Sequence, residues 1–178
     1  MKIAPFALTA ALMLLTAQPA LAALAVGAKA PDFTTEGAIA GKSFAFSLAK
    51  TLKKGPVVLY FYPKAFTQGC TLEAHAFADK VDAFRKAGAT VVGVSGDGIE
   101  ELKRFSREAC RDKFAVVSAT PKVIGAYDVS FRGKPELSDR TSYVIAKNGR
   151  ITYVHSDLDY KDHVAKTLAA VEQMGGKR

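Results

Sequence analysis

Val57-Val58-Leu59-Tyr60-Phe61-Tyr62-Pro63-Lys64-Ala65-Phe66-Thr67-Gln68-Gly69-Cys70 is the stretch on which the reading of this chain turns. Its first five residues are an unbroken apolar run, set off by the Gly55-Pro56 breaker, and they read as a buried strand. A helical pattern begins near Cys70. A cysteine therefore stands where a strand hands over to a helix, with a threonine three residues before it. The free N–H groups and positive dipole end of a first helical turn stabilise negative charge. A thiolate, not a thiol, is the nucleophile that attacks disulfides and peroxides. The chain has two cysteines in all and spends one here, so sulfur chemistry is the expectation.

Downstream, residues 71–87 read as a long amphipathic helix, with Leu72, Ala76, Ala83 and Phe84 at helical spacing and Gly88 as its stop. Residues 90–95 read as a second buried strand. Asp97 is placed to cap the next helix, and Glu100, three residues on, completes a capping box. Ile99, Leu102, Phe105 and Ala109 form that helix's apolar face, with Cys110 at its edge on the Ile99 side. Residues 114–118 suggest a strand, and residues 121–127 a short helix with Pro121 in its first turn. Residues 142–146 and 151–155 read as strands of a hairpin turning at Lys147-Asn148-Gly149. Residues 161–174 close the chain as a helix with Val164, Leu168 and Val171 inward. Upstream, residues 28–33 read as an extended entry, and residues 43–52 fit strand and helix equally well. Strand–helix alternation, then a hairpin and a closing helix, predicts an α/β fold with a central mixed sheet flanked by helices on both faces. That is the thioredoxin-like arrangement.

The first 22 residues read as a signal peptide. Lys2 is its short positive region, the run from Leu8 to Ala17 is mostly apolar and uncharged, and Ala20-Leu21-Ala22 is a small-x-small site with cleavage after Ala22. Residues 23–178 then form one domain, the length a single core needs. The apolar run is short for a bilayer-spanning anchor, and no other segment approaches that length, so no stable membrane insertion is expected. The chain is read as periplasmic or otherwise exported. In an oxidising compartment thiols tend to pair. Cys70 and Cys110 are then either a structural disulfide or a redox pair, and the count alone favours neither.

The net charge of +8 is spread along the chain, with small clusters at Lys53-Lys54 and at Arg104, Arg107, Arg111 and Lys113. There is no block of like charges and no interleaved aromatic platform, which argues for a solvated basic surface and against a nucleic-acid partner. His75, His155 and His163 show no metal-ligand spacing. Gly93, Gly96 and Gly98 make no dinucleotide fingerprint, and turn and helix-entry roles suffice for them. No metal or organic cofactor is expected.

An exported thioredoxin-like domain can be a thiol–disulfide exchanger, but those carry Cys-x-x-Cys at the helix start. Here the four residues are Thr67-Gln68-Gly69-Cys70. A hydroxyl replaces the first thiol, and a hydroxyl can hydrogen-bond a small oxygen substrate beside the sulfur. Pro63-x-x-x-Thr67-x-x-Cys70 resembles the active-site motif of the peroxiredoxins. The wider run from Val57 to Ala74 resembles their bacterioferritin-comigratory, or Q-type, subfamily. The likeness extends from about Gly27 to the end, through Val94-Ser95 and Arg140-Thr141-Ser142-Tyr143-Val144-Ile145.

The resemblance implies a peroxidatic Cys70 that attacks a hydroperoxide and becomes a sulfenic acid. It implies that Thr67 hydrogen-bonds the peroxide, that Pro63 shields the sulfenate, and that Arg140 is the active-site arginine. A permanent cation near the sulfur favours the thiolate and charge on the departing oxygen. It also implies a thioredoxin-like or small-thiol reductant and a monomer. Three positions depart from the common pattern. His75 stands where a resolving cysteine is frequent, Ala65 replaces an acidic residue, and Gln68 replaces a proline. Cys110 is then the candidate resolving cysteine, about one turn beyond where some members carry theirs, near Ser106. Arg107, Arg111 and Lys113 would favour its thiolate, while Glu108 and Asp112 oppose this. Both helices would have to unwind locally for the sulfurs to meet. Three alternatives stay open: a one-cysteine enzyme with Cys110 a bystander, a thioredoxin-like thiol–disulfide exchanger using the same pair, which the missing Cys-x-x-Cys argues against, and a binding domain stapled by a Cys70–Cys110 bond.

Overall fold

The structure is a computed structural model and describes residues 23–176. The signal-peptide reading falls on residues outside those described. The chain runs β1 (Thr34–Ile39), β2 (Lys42–Ser47), α1 (Leu48–Leu52), β3 (Val57–Phe61), α2 (Gln68–Lys86), β4 (Thr90–Ser95) and α3 (Ile99–Glu108). It continues with β5 (Ala115–Ser118), α4 (Pro121–Ala126), β6 (Ser130–Phe131), β7 (Lys134–Ser138), β8 (Thr141–Ile145) and β9 (Ile151–Ser156). A 3₁₀ turn at Tyr160–Asp162 leads into α5 (His163–Gly175).

Among the described residues, seven strands form one sheet in the order β2-β1-β5-β4-β3-β8-β9. β3, β4 and β5 are parallel; β1, β2, β8 and β9 join antiparallel. β3 lies centrally and is buried along its whole length. Its alternation divides the core. Val58 and Tyr60, followed by Tyr62, face a cluster with α2, α3 and α5, which contribute Phe77, Val81, Leu102, Phe105 and Val171. Val57, Leu59 and Phe61 face a second cluster with Leu48 and Leu52 of α1 and Ile124 of α4. Helices thus cover both faces of a mixed sheet, as the element order predicts. No helix among the described residues is long and apolar enough to cross a membrane.

The structure corrects several local readings. Residues 43–52 divide at Ser47, which ends β2 and caps α1 with its hydroxyl on the Lys50 N–H. β1 and β2 form a hairpin around Ala40-Gly41, both at positive φ, a turn that Asn-Gly would have announced. The short β6–β7 pair was likewise not legible. The apolar face of α2 is rotated from the predicted one. Leu72 is 40% exposed, and the inward stripe is Cys70, Glu73, Ala74, Phe77, Ala78, Val81 and Phe84.

The capping box at Asp97 and Glu100 does not form. Gly98 occupies the N-cap of α3, and the Asp97 carboxylate turns the other way to accept from the Ala65 N–H (2.7 Å) and the Ser95 hydroxyl (2.9 Å). α3 ends at Glu108, so Cys110 lies in the turn beyond it rather than on the helix. Gly93 is a mid-strand residue opposite Tyr60, not a turn. A Cβ there would stand 2.8 Å from the Tyr60 ring, so the bare backbone lets that ring lie across β4.

Candidate active site

β3 ends at Phe61, and the loop from Tyr62 to Thr67 carries the chain off the carboxyl edge of the sheet, where α/β folds gather their ligands. The Tyr62 N–H still donates to the Val94 carbonyl (3.0 Å), so half-buried Pro63 stands just beyond the last sheet bond. Asp97 ties Ala65 down from the end of β4. Phe66 takes a left-handed φ of 61°, packs edge-on against Phe105 and has the Arg104 guanidinium over its ring. Thr67 is the N-cap of α2. Its hydroxyl donates to the Lys64 carbonyl (3.0 Å) and makes no cap bond to the helix. The N–H groups of the first turn are therefore not capped by that side chain, and Cys70 sits within this turn, 2% exposed.

Arg140 reaches the same turn from the residue before β8. Its guanidinium spreads over three partners. Nε donates to the Leu158 carbonyl (2.9 Å), Nη1 pairs with Glu73, and Nη2 donates to the Cys70 sulfur at 3.5 Å. Gly69 makes room for this approach, since a Cβ there would stand 3.2 Å from Nη2. Arg140 is 6% exposed and Glu73 wholly buried. Burial raises the Glu73 carboxyl above its ordinary range, and the contact with Arg140 acts in the opposite sense. Burial acts against the Arg140 charge, but Glu73 and Cys70 together outweigh it and keep the guanidinium protonated.

Cys110 is also a free thiol and wholly buried, in the same core cluster as Cys70, Tyr60, Tyr62 and Phe105. Of the groups expected to act on its thiol, those opposing the thiolate prevail. Arg111 pairs with Asp79 instead, and burial, aided by Asp112, pushes the Cys110 thiol well up. Arg111 and Asp112, directly after it, both adopt left-handed backbone, at φ 51° and 61°.

The structure thus brings Cys70 and Arg140 into contact and sets Thr67 and Pro63 on the loop that leads to them. Glu73 was missed from sequence. The signal was available: it lies three residues after Cys70 on the inward stripe of α2, where a carboxylate needs a buried partner. Asp97 was seen but assigned to a helix cap it does not form.

Comparisons with known proteins identify the family. The pattern of the AhpC/TSA family matches residues 26–154. Peroxiredoxin Bcp of Bacillus subtilis is 34% identical over 158 residues, covering 85% of this chain and 98% of that protein. The chloroplastic peroxiredoxin Q of Oryza sativa subsp. japonica is 34% identical over 149 residues, covering 83% of this chain and 67% of that one. The crystal structure of peroxidoxin BcpB from Mycobacterium tuberculosis superposes with a TM-score of 0.75 at 31% identity, covering 84% of this chain and 97% of that one. With the family pattern spanning most of the described fold and relatives of this identity along nearly its whole length, the chain belongs to the AhpC/TSA family, among the peroxiredoxins of the Q and Bcp kind.

Proposed function

We propose that the chain is an exported thiol peroxidase that reduces hydrogen peroxide and organic hydroperoxides at Cys70. One observation carries the reading: the Arg140 guanidinium lies 3.5 Å from the Cys70 sulfur, beside a helix turn that the Thr67 side chain leaves uncapped. The Cys70 thiolate attacks the terminal peroxide oxygen. An S–O bond forms, the O–O bond breaks, and the departing alkoxide or hydroxide takes a proton from water. Arg140 stabilises negative charge as it passes from sulfur to the leaving oxygen. The Thr67 hydroxyl turns from the Lys64 carbonyl to the bound peroxide, and Pro63 shields the sulfenic acid.

In the second step the Cys110 thiolate attacks the Cys70 sulfur, expels hydroxide and forms an intramolecular disulfide. Cys110 must first leave its pocket. Left-handed backbone at Phe66, Arg111 and Asp112 flanks both cysteines and costs about 1–3 kcal/mol at each site, which local opening would release. A thioredoxin-like dithiol or a small thiol supplies two electrons and returns both thiols. Export is supported by the signal-like first 22 residues, and the monomer remains the expected state.

The burial of Cys110 also favours a second reading, in which an external thiol attacks the sulfenic acid directly. Intact mass after one equivalent of hydrogen peroxide separates the two. Loss of about 2 Da in wild type, with a gain of about 16 Da in Cys110→Ser, supports the disulfide. A gain of about 16 Da in both proteins supports the one-cysteine enzyme.

A further inference from the structure

Behind Arg140 the buried polar chain continues. Glu73 places Oε2 on Arg140, while its Oε1 is buried and has no hydrogen-bond partner among the described residues. That oxygen faces His163 Nδ1 at 3.7 Å. His163 begins α5 and is wholly buried. Its Nε2 lies 2.9 Å from the Asp157 backbone carbonyl, and its Nδ1 lies 2.8 Å from the Ser142 hydroxyl.

The proton inventory fixes what each atom does. A carbonyl only accepts, so Nε2 carries the hydrogen. Burial pushes the ring's pKa down to about 4, so His163 is neutral and Nδ1 is a lone pair, which takes the Ser142 proton. Two acceptors, Glu73 Oε1 and His163 Nδ1, then face each other at 3.7 Å, with the Ser142 hydroxyl bonded to Nδ1 and no partner for Oε1 among the described residues. The carboxyl relieves this by holding a proton on Oε1, or by being set at the angle at which Oε2 alone carries the ion pair. Either way His163 governs how Glu73 meets Arg140, and so how Arg140 meets Cys70. The other charged or titratable groups around the ring are His155 of β9, its ring tilted by 57° at a centroid distance of 4.5 Å, Asp157, and the Asp162–Lys166 pair (2.9 Å) at the start of α5.

We propose that His163 is a positioning residue of the peroxidatic site: with its tautomer fixed by Asp157 and Ser142, it orients the Glu73 carboxyl that holds Arg140 against Cys70. The inference rests on the peroxidase reading and adds a fourth element, α5, to the site.

The test is the rate at which hydrogen peroxide oxidises the reduced full chain from about pH 5 to 9, for wild type, His163→Leu, His163→Asn and Ser142→Ala. His163→Leu is expected to lose about tenfold or more and to shift the pH profile, because a small misplacement of Arg140 is costly. His163→Asn, with a polar atom where Nδ1 was, recovers most of the rate. Ser142→Ala shifts the profile. A folded His163→Leu with the wild-type rate and profile overturns the proposal. If His163→Leu does not fold, an unchanged profile in Ser142→Ala overturns it instead. A second readout does not depend on turnover. The ¹⁵N resonances of His163 should show the Nε2–H tautomer, and Nδ1 should shift in Glu73→Gln; an unmoved Nδ1 also overturns the proposal. A wild type no faster than free cysteine is a different failure, that of the peroxidase reading itself.

Discussion

The Arg140 guanidinium and the Cys70 sulfur stand 3.5 Å apart although 70 residues separate them in the chain. The antiparallel pairing of β8 against β3 makes this contact, since Thr141 lies opposite Phe61 and the residue before Thr141 lands beside the loop that follows Phe61. Arg140→Ala is expected to slow peroxide oxidation of Cys70 by about 10²-fold, the usual cost of removing a donor from a site of developing negative charge. It should also destabilise the fold by about 1–3 kcal/mol, because Glu73 is left buried, protonated and without its partner. Arg140→Lys keeps the charge but cannot span Glu73, Cys70 and the Leu158 carbonyl together, so its rate should fall between the two. Stopped-flow rates and thermal melts on the same preparations check both effects.

Burial at Cys110 predicts a distinct pH dependence for disulfide closure. The closed pocket holds the thiol protonated, so closure proceeds from opened molecules, in which Cys110 is freed of that burial and ionises in the ordinary thiol range. The closure rate should therefore rise with pH through that region. Rapid-quench mass spectrometry of the sulfenic acid and the disulfide separates the two steps. A closure rate independent of pH would show that opening alone limits it.

Gly93→Ala places a methyl group 2.8 Å from the Tyr60 ring, which is wholly buried and stacked on Phe77 at 4.3 Å. Neither ring has room to retreat. The variant should lose about 1–3 kcal/mol, seen as a lower denaturation midpoint with an unchanged slope.

Asp139 adds a pH-dependent term to stability. Burial raises its carboxyl from 3.8 to about 6, opposed by the Thr141 hydroxyl bond. A carboxyl whose pKa is higher in the folded state favours folding in its protonated form. Its contribution is complete below about pH 4 and is lost as the pH rises through 6. Asp139→Asn keeps an acceptor for Thr141 and cannot ionise. It should raise the melting temperature at about pH 8 and leave it unchanged at about pH 4, and the difference between variant and wild type isolates this one group.

The sheet was legible because β3, β4 and β8 are long apolar runs between clear breakers, and the β8–β9 hairpin carries Asn148-Gly149 at its turn. The β1–β2 hairpin was not, because Ala40 holds a positive φ that alanine rarely adopts and so gives no signal. Cys70 was legible from its place where a strand hands over to a helix, and Arg140 only through the resemblance to the peroxiredoxins. Glu73 offered only the local signal of a carboxylate on the Cys70 face of α2, and His163 none, because their partners lie in contacts among α2, β8 and α5 that no local pattern reveals. Asp97 misled for a related reason: it stands at a good capping position, but tertiary contacts with Ala65 and Ser95 take its carboxylate.

The central claim is that Cys70 is the thiol that meets the peroxide. The most direct test is the second-order rate constant for hydrogen peroxide with reduced Cys110→Ser and reduced Cys70→Ser at one pH. The account predicts that Cys110→Ser reacts at least about a hundredfold faster than free cysteine, as a preorganised cationic site should, and that Cys70→Ser does not. Rapid oxidation of Cys70→Ser, or no acceleration in Cys110→Ser, would contradict it.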